Sequence, residues 1–433
     1  MQRRIIFILL FCSVIQNGYS QETWTLRMAI DTAVQKNIGL QISKNEAQIA
    51  SNSSTLGAAG MLPRAELNGN ATRAENDILQ ELRTGEELST GGVEATTIQA
   101  SGIVNWTVFD GFRMFAERDR LNILERVSEV SVQQQLIDVL GLTARSYFDL
   151  QRQQLLVEFT QNGLALYEER VRLAQLKLDL GSAPRTELLQ ATVDLNEQQS
   201  VLTVRKAAMQ NARAILNGLL FRPVTDSILV MDSISVSEAP SYEYFLSKLE
   251  QGNLALQEYM LLKEAAAKQV SYAQGSYYPT LDLNAGYNYS KNTTSQGFFL
   301  ENRSMGPVAG LSFNWNIFEG NTIRKNVQSS KLIAANAQLA VEQVRLDVNV
   351  ALRVAWQNYA AALEVYNREG ESNKVAAQNL DITGERFRLG ESDVLELREA
   401  QSTREDAQSR LANAYYEVRI ALVQLMLLTG EMF

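Results

Sequence analysis

Few residues in this chain are equipped for chemistry, and those that are carry charge. After each of two glycines, Gly181 and Gly390, a glutamate follows six residues on, Glu187 and Glu396. Glu399 follows the second glycine by nine, and Asp393 to Glu396 has the spacing of a helix-capping box. Carboxylate pairs such as Glu86–Glu87 and Glu168–Glu169 have the right chemistry for acid/base work. Exposed helix or loop charges explain them better. The 433 residues contain no histidine and a single cysteine, Cys12. Met1 to Ser20 reads as a secretory leader, with Arg3 and Arg4 ahead of an apolar run from Ile5 to Ile15 and Gly18-Tyr19-Ser20 at its end. Removing it leaves neither cysteine nor histidine, which excludes disulfides, Cys/His zinc sites, thiol nucleophiles and histidine triads. Cys12 follows Phe11 rather than a small residue, which disfavours lipidation. No phosphate-binding glycine loop is present. The composition argues against an enzyme and implies no cofactor and no metal. A net charge of −9 argues against nucleic acid.

The acids sit at the ends of two very long helical patterns. Residues 112–180 and 321–389 contain no proline and two glycines each, and interleave charged and apolar residues. Each rod is about 100 Å long at the helical rise. In the second, Ile323, Val327, Ser330, Ala334, Ala337, Val341, Val344, Val348, Ala351, Ala355, Asn358 and Ala362 step by fours and threes, a heptad seam. A second stripe runs through Leu332, Ala335, Leu339, Leu346, Trp356, Tyr359, Leu363 and Tyr366, roughly 140–155° away. Two narrow seams at that angle ask for a neighbour on either side, as in the wall of a hollow cylinder. An extended coiled coil is the plainer reading of this stretch alone.

Ahead of each rod lie a helical pattern (Leu26 to Met61; Tyr242 to Tyr278), a proline stop (Pro63; Pro279) and two alternating segments. The strands are placed at 63–80, 95–109, 279–292 and 305–318, with a polar loop at Thr84 to Gly92. Leu281, Leu283, Ala285, Tyr287 and Tyr289 share one parity against Asp282, Asn284, Asn288 and Ser290. Leu311, Phe313, Trp315 and Ile317 alternate with Ser312, Asn314 and Asn316. An apolar, aromatic face opposite a polar one is the pattern of a membrane barrel; a one-sided soluble sheet shows it too. Four strands cannot enclose a polar lumen, so several copies must contribute. No segment past the leader offers the roughly 20 apolar residues of a membrane helix.

The chain repeats itself. "VNWTVFDG" at Val104 to Gly111 matches "FNWNIFEG" at Phe313 to Gly320, an offset of 209 shared by "LGSAPRTELLQA" (Leu180 to Ala191) and "LGESDVLELREA" (Leu389 to Ala400). "KNIGLQ" aligns with "GNLALQ" at an offset of 216. The expected organisation is a leader (1–20), a first repeat (21–221) with long helix 112–180 and return helix 184–220, a linker (222–241), and a second repeat (242–433) with long helix 321–389 and return helix 393–430. The fold class is α+β: a long-helix barrel continuous with a transmembrane β-barrel.

With the leader, the repeat, the two "NW..F.G" strand ends and the two glycine tips in view, the chain resembles the TolC family of outer-membrane efflux proteins, over everything past the leader. The resemblance implies a homotrimer whose protomers give four strands each to a 12-stranded barrel and together form a 12-helix periplasmic tunnel. It implies an equatorial belt at about Arg222 to Pro240, slim because the chain ends at Phe433 soon after the last helix. It implies location in the outer membrane of a Gram-negative bacterium and contact with its lipid. The implied partners are a periplasmic membrane-fusion adaptor and an inner-membrane pump of RND or ABC type, and the implied role is a passive exit duct for drugs, metals or proteins. The lack of histidine and methionine clusters disfavours a metal speciality. Gly181, Ser182, Gly390, Glu391 and Ser392 match the tip and adaptor-docking loops, and Trp106, Gly111, Trp315 and Gly320 the strand-to-helix turns. Arg185, Glu187, Arg386, Phe387, Asp393, Glu396 and Glu399 are aperture candidates. Three symmetry-related copies of each acid would favour cations there, while helix capping accounts for the same acids equally well. Relatives latch the closed tip with a tyrosine three residues before the second glycine and an arginine two after it; here those positions hold Phe387 and Ser392. Contacts among Arg185, Glu187, Arg386 and Glu396 are the expected substitute. The competing reading is an exported trimeric coiled-coil stalk or adhesin without transport activity.

Overall fold

The computed structural model describes residues 22–230, 236, 239–297 and 299–431. The leader and Cys12 lie outside them, as do residues 231–235, 237 and 238 of the linker. The elements run β1 (Glu22–Trp24), α1 (Leu26–Lys36), α2 (Ile38–Ser53), β2 (Arg64–Glu81), β3 (Glu87–Phe109), α3 (Arg113–Asp179) and α4 (Arg185–Leu219). Then come β4 (Ile228–Val230), α5 (Tyr242–Gly252), α6 (Leu254–Gly275), β5 (Thr280–Thr294), β6 (Glu301–Asn314), α7 (Thr322–Leu389) and α8 (Val394–Leu428).

The two rods are single helices of 67 and 68 residues, and each return helix has 35. Near the sheet α3 packs against α2 and α6, and α6 against α7; towards the far end α3 packs against α4 and α8, and α8 against α7. One chain therefore forms a palisade, four columns wide at either level. The heptad seam of α7 is buried at Val327, Ser330, Val341, Val348 and Ala355, whereas Asn358 is exposed. Its second stripe splits. Trp356, Tyr359, Leu363 and Tyr366 pack into a core with Phe245, Leu249, Leu352 and Leu425, while Leu332, Leu339 and Leu346 stay exposed.

The single helices expected at Leu26 to Met61 and Tyr242 to Tyr278 are each broken in two, and an asparagine is the reason. Asn37 donates its N–H to Ala33 O (2.8 Å), closing α1, while its Oδ1 accepts the N–H of Leu40 (2.8 Å) to open α2. Asn253 does the same between Leu249 O and the N–H of Leu256, at 3.0 Å each. A short amide side chain competes with the helical ladder and makes one residue both end and beginning. The helical pattern also ends early, at Ser53, before turns that reach Met61.

The main sheet has the order β2-β3-β5-β6, antiparallel throughout. The expected polar loop at Thr84 to Gly92 is mostly strand. The ladder continues to Glu81 opposite Glu87, closed by Leu82 N–H to Glu86 O (2.9 Å), because a ribbon wet on both faces needs only backbone pairing. The last strand ends at Asn314 rather than 318; Trp315 leaves the ladder to donate its indole N–H to Tyr277 O (3.1 Å). A small parallel pair joins β1 to β4, and three residues per strand are too few to show a period.

The cores are local. One gathers Trp24, Tyr147, Phe148, Leu150, Leu216, Leu220 and Ile228 where α1, α3, α4 and the β1–β4 pair meet. Each such large side chain contributes about 1.5–3 kcal/mol on burial, and the Tyr147 hydroxyl donates to Trp24 O (2.8 Å). α8 contains an 18-residue window of mean hydropathy 1.2, long and apolar enough to cross a membrane by composition. Val418, Ala421 and Leu425 of that helix instead lie in the core with Phe245 and Leu352.

Candidate functional site: the sheet face and the hairpin tips

Register sorts the sheet into two faces. Ala65, Val104, Ala285 and Ala309 stand in one row across the four strands; Leu67, Gly102, Tyr287 and Pro307 form the next; Gly69, Ala100, Tyr289 and Met305 the one after. Trp106, Leu283 and Leu311 continue it towards the helices. The opposite face carries Asn68, Ser101, Asn288 and Gly306, then Asn70, Gln99, Ser290 and Ser304. Leu67, Val104, Tyr287, Met305, Leu311 and Phe313 are all exposed, so none of the described residues covers this apolar face. From Leu281 to Tyr289 that face is nine residues long. At about 3.3 Å per residue and a tilt near 40° it spans ~23 Å, close to the ~25 Å apolar band of an outer-membrane barrel.

At the helix-side end, the two tryptophans expected at the strand-to-helix turns act alike. Trp106 donates to Met61 O (3.0 Å), as Trp315 does to Tyr277 O, each tying a strand end to the chain just before its preceding strand. Gly111 and Gly320 have positive φ, 75° and 58°. Only Gly111 is also crowded: a Cβ there would lie 2.2 Å from Gly275 O, so backbone meets backbone between α3 and α6.

At the far end, Gly181 (φ 69°) and Gly390 (φ 79°) close α3 and α7 in the left-handed conformation. Ser182 N–H reaches Lys177 O and Glu391 N–H reaches Arg386 O, the six-to-one bond of a Schellman cap. Side chains then divide the two turns. Asp393 accepts the N–H of Glu396 (2.8 Å), and Ser392 Oγ donates to Glu396 Oε2 (2.7 Å). Arg386 pairs with Glu396 and donates to Glu391 O (3.1 Å), all within one hairpin. In the other hairpin Glu187 meets Lys177 (3.5 Å), not an arginine. Arg185 is exposed and forms no ion pair among the described residues, and Arg388 pairs with Glu385 (2.6 Å) along α7. None of these pairs joins the two hairpins. Lys177 does: its ammonium lies 4.6 Å from the ring centre of the buried Phe387.

Further from the tips the hairpins are joined by polar groups that the sequence reading missed. Buried Arg170 of α3 donates to Asp194 of α4 (2.8 Å) and to Gln401 of α8 (2.9 Å), and Arg398 of α8 also holds Asp194 (3.0 Å). Next to them Gln198 donates to Glu405 (2.9 Å), which Tyr167 also hydrogen-bonds. Burial pushes the Glu405 carboxyl above its ordinary range, against those two hydrogen bonds, with Asp406 and Glu197 adding to the push. The Tyr167 phenol is pushed up as well, by burial and then by Glu405. A cavity of about 710 Å³, lined by Asp194, Glu197, Glu396, Glu399 and Glu405 together with Arg170 and Arg398, opens between α4 and α8. The missed signal was spacing: Tyr167, Arg170 and Ala174 on α3, and Arg398, Gln401 and Glu405 on α8, step by threes and fours, polar residues at seam positions.

Residues 245–431 match the family model described as outer membrane efflux protein. The outer membrane efflux protein BepC of Brucella suis biovar 1 (strain 1330) is 24% identical over 358 residues, covering 80% of this chain and 75% of that protein. The outer membrane protein TolC of Escherichia coli (strain K12) is 23% identical over 346 residues, 76% and 68% of the two chains. The chain resembles outer-membrane efflux proteins of the TolC family along most of its length. The solved structure of the Campylobacter jejuni CmeC outer membrane channel superposes with a TM-score of 0.79 at 17% identity, over 94% of this chain and 85% of that one. Both named relatives are outer-membrane proteins, and the superposed structure is an outer-membrane channel.

Proposed function

We propose that three copies of this chain close head to tail into one duct, a 12-stranded barrel in the membrane above a 12-helix periplasmic tunnel. The observation that carries this reading is a pair of unfinished edges. In the sheet, β2 and β6 each have a partner on one side only among the described residues. In the palisade, Leu332, Leu339 and Leu346 of α7 form an exposed heptad stripe at one margin, and Ile42, Ile49 and Leu56, on α2 and the turn after it, form another at the opposite margin. Unlike margins that fit each other generate a ring. A polar sheet face then lines the bore, and the exposed apolar face meets lipid. A coiled-coil stalk would leave that apolar face without a purpose.

Within this reading the two halves of the chain are copies of one unit, with the boundaries given above. Substrates pass without chemistry, driven by an inner-membrane pump through a periplasmic adaptor that docks at the Gly181–Ser182 and Gly390–Ser392 turns. The acids Glu187, Glu396 and Glu399 line the narrowest passage, and Arg185, Arg386, Phe387 and Asp393 set its shape. Extraction from outer membranes should yield a heat-resistant trimer that conducts ions in planar bilayers. A monomer without conductance would end the proposal. Glu187→Ala with Glu396→Ala should change the single-channel conductance; an unchanged value removes those acids from the aperture while leaving the duct intact.

A further inference from the structure

On the apolar face of the sheet, the first charges met on moving away from the helices are two cations standing opposite one another. The rows from Ala65, Val104, Ala285 and Ala309 to Gly69, Ala100, Tyr289 and Met305 carry no charge. The next row is Ala71, Ile98, Lys291 and Arg303. Residues two apart along a strand share a face, so Lys291 lies on the surface of Tyr289 and Arg303 on that of Met305. The helix-side rim of the same face, where Leu281 pairs with Phe313 and Leu283 with Leu311, has no charged side chain. The positive charge is confined to one end.

As it stands the pairing is costly. Like charges directly opposite on neighbouring strands repel, with their Cβ atoms about 5 Å apart. One carboxylate serves both: Glu301 lies 3.3 Å from Lys291 and 3.1 Å from Arg303. A single negative charge cannot neutralise two positive ones, and Glu301 stands one row further out, opposite Thr293. Arg73 supplies the contrast. It lies in that outer row, on the same face, and has Glu94 to itself at 2.7 Å. The surplus charge therefore belongs to Lys291 and Arg303, and it calls for an anion from outside the chain. Depth narrows the choice. Two residues beyond Tyr289, at about 3.3 Å per residue and a tilt near 40°, the pair stands ~5 Å past the edge of the apolar band, at the level of lipid headgroups.

We propose that Lys291 and Arg303 clamp a phosphoryl group on a lipid headgroup of the outer leaflet, the side of the membrane away from the helices, where the lipids carry phosphorylated sugars. A guanidinium forks onto two phosphate oxygens, and an ammonium beside it adds a point charge. A neighbouring copy paired along β6 would extend the sheet in its own plane and leave both side chains facing outward. The clamp belongs to the second half of the chain alone. It rests on the membrane reading above, and the test separates the two.

The full-length protein in mild detergent is titrated with lipid A and with lipid A stripped of its phosphates, and bound lipid is counted by native mass spectrometry. The parent should prefer the phosphorylated form by about tenfold. Lys291→Gln with Arg303→Gln should abolish that preference and leave binding of the stripped lipid unchanged. Arg303→Lys, which keeps the charge and loses the fork, should lose part of it and serves should the double variant fold poorly. Arg73→Gln should keep the preference in full. A parent without preference, or a double variant that retains it, overturns the clamp. Equal loss in Arg73→Gln would show a diffuse charge effect, and displacement of the lipid by an equal concentration of inorganic phosphate would assign the pair to a free ion; either also overturns it. Parent protein that enters phosphatidylcholine vesicles yet shows no preference sinks only the clamp. Parent protein that stays out of such vesicles sinks the membrane reading with it.

Discussion

The two hairpin tips share a backbone and a glutamate paired to a cation ten residues before it, and differ in most of the side chains around them. Both turn through a left-handed glycine and a six-to-one hydrogen bond. The α7/α8 tip then closes on itself, with Asp393 capping α8 and Arg386 tied to Glu396 and Glu391. The α3/α4 tip has no side-chain cap at Pro184 and shares its Lys177 with Phe387 of the other hairpin. Glycine and the cap bonds are enough to reverse a long helix, so the side chains around the turn were free to diverge. One hairpin became self-contained, and the other leans on its neighbour.

That contrast can be broken first at the join above the tips. Arg170→Ala removes a buried guanidinium and leaves Asp194 with Arg398 as its remaining cation. Breaking a buried pair costs about 3–5 kcal/mol, with the low end expected here because one partner survives. Hydrogen exchange should accelerate along α4 and leave the start of α8 protected. Equal acceleration in both hairpins would show that neither is self-contained.

Gly181→Ala and Gly390→Ala come next. A Cβ meets nothing within 4 Å at either position, so only the backbone conformation opposes it. Each should cost about 1 kcal/mol, read from the thermal midpoint. A much larger loss at Gly181 would mean that the leaning hairpin depends on its turn more than the capped one does. Lys177→Met keeps most of the side-chain bulk and removes the charge over Phe387. At this partly exposed site the loss should be about 0.5 kcal/mol, accompanied by more frequent opening events in bilayer recordings. Unaltered gating would deny the contact any part in joining the hairpins.

The smallest effect depends on pH. Folding raises the Glu405 carboxyl above its unfolded value, so its protonated form favours the folded state, and that contribution is lost as pH rises through the folded value. Glu405→Gln should therefore raise the melting temperature at pH 7.5 and leave it unchanged at pH 3, below the unfolded value, where both states carry the proton. A gain of equal size at both values would assign it to packing rather than to charge.

Much of this architecture was legible because it is periodic. The rods, the return helices and four strands announced themselves through heptads, alternation and an offset of 209, and the rod boundaries agree within a residue with Arg113–Asp179 and Thr322–Leu389. What escaped was decided by single side chains. Asn37 and Asn253 look like ordinary helix residues until both of their caps are seen. At the tips, the residue types pointed to arginine–carboxylate contacts, and Arg386 with Glu396 does form one. Which hairpin each partner belongs to depends on packing, and no spacing along the chain reveals that Lys177 faces Phe387. Arg170, Asp194, Arg398 and Gln401 come from three helices and meet only once those helices are assembled.

The asparagine joints have a mechanical consequence. α3 and α7 pass unbroken from the strand turns to the tips, whereas the shorter columns are articulated at Asn37 and Asn253 near mid-height. A torque applied at the tips would travel to the sheet along two stiff shafts and be absorbed in the other two at their knuckles. The chain thus combines transmission with compliance, and a single amide per column sets the ratio.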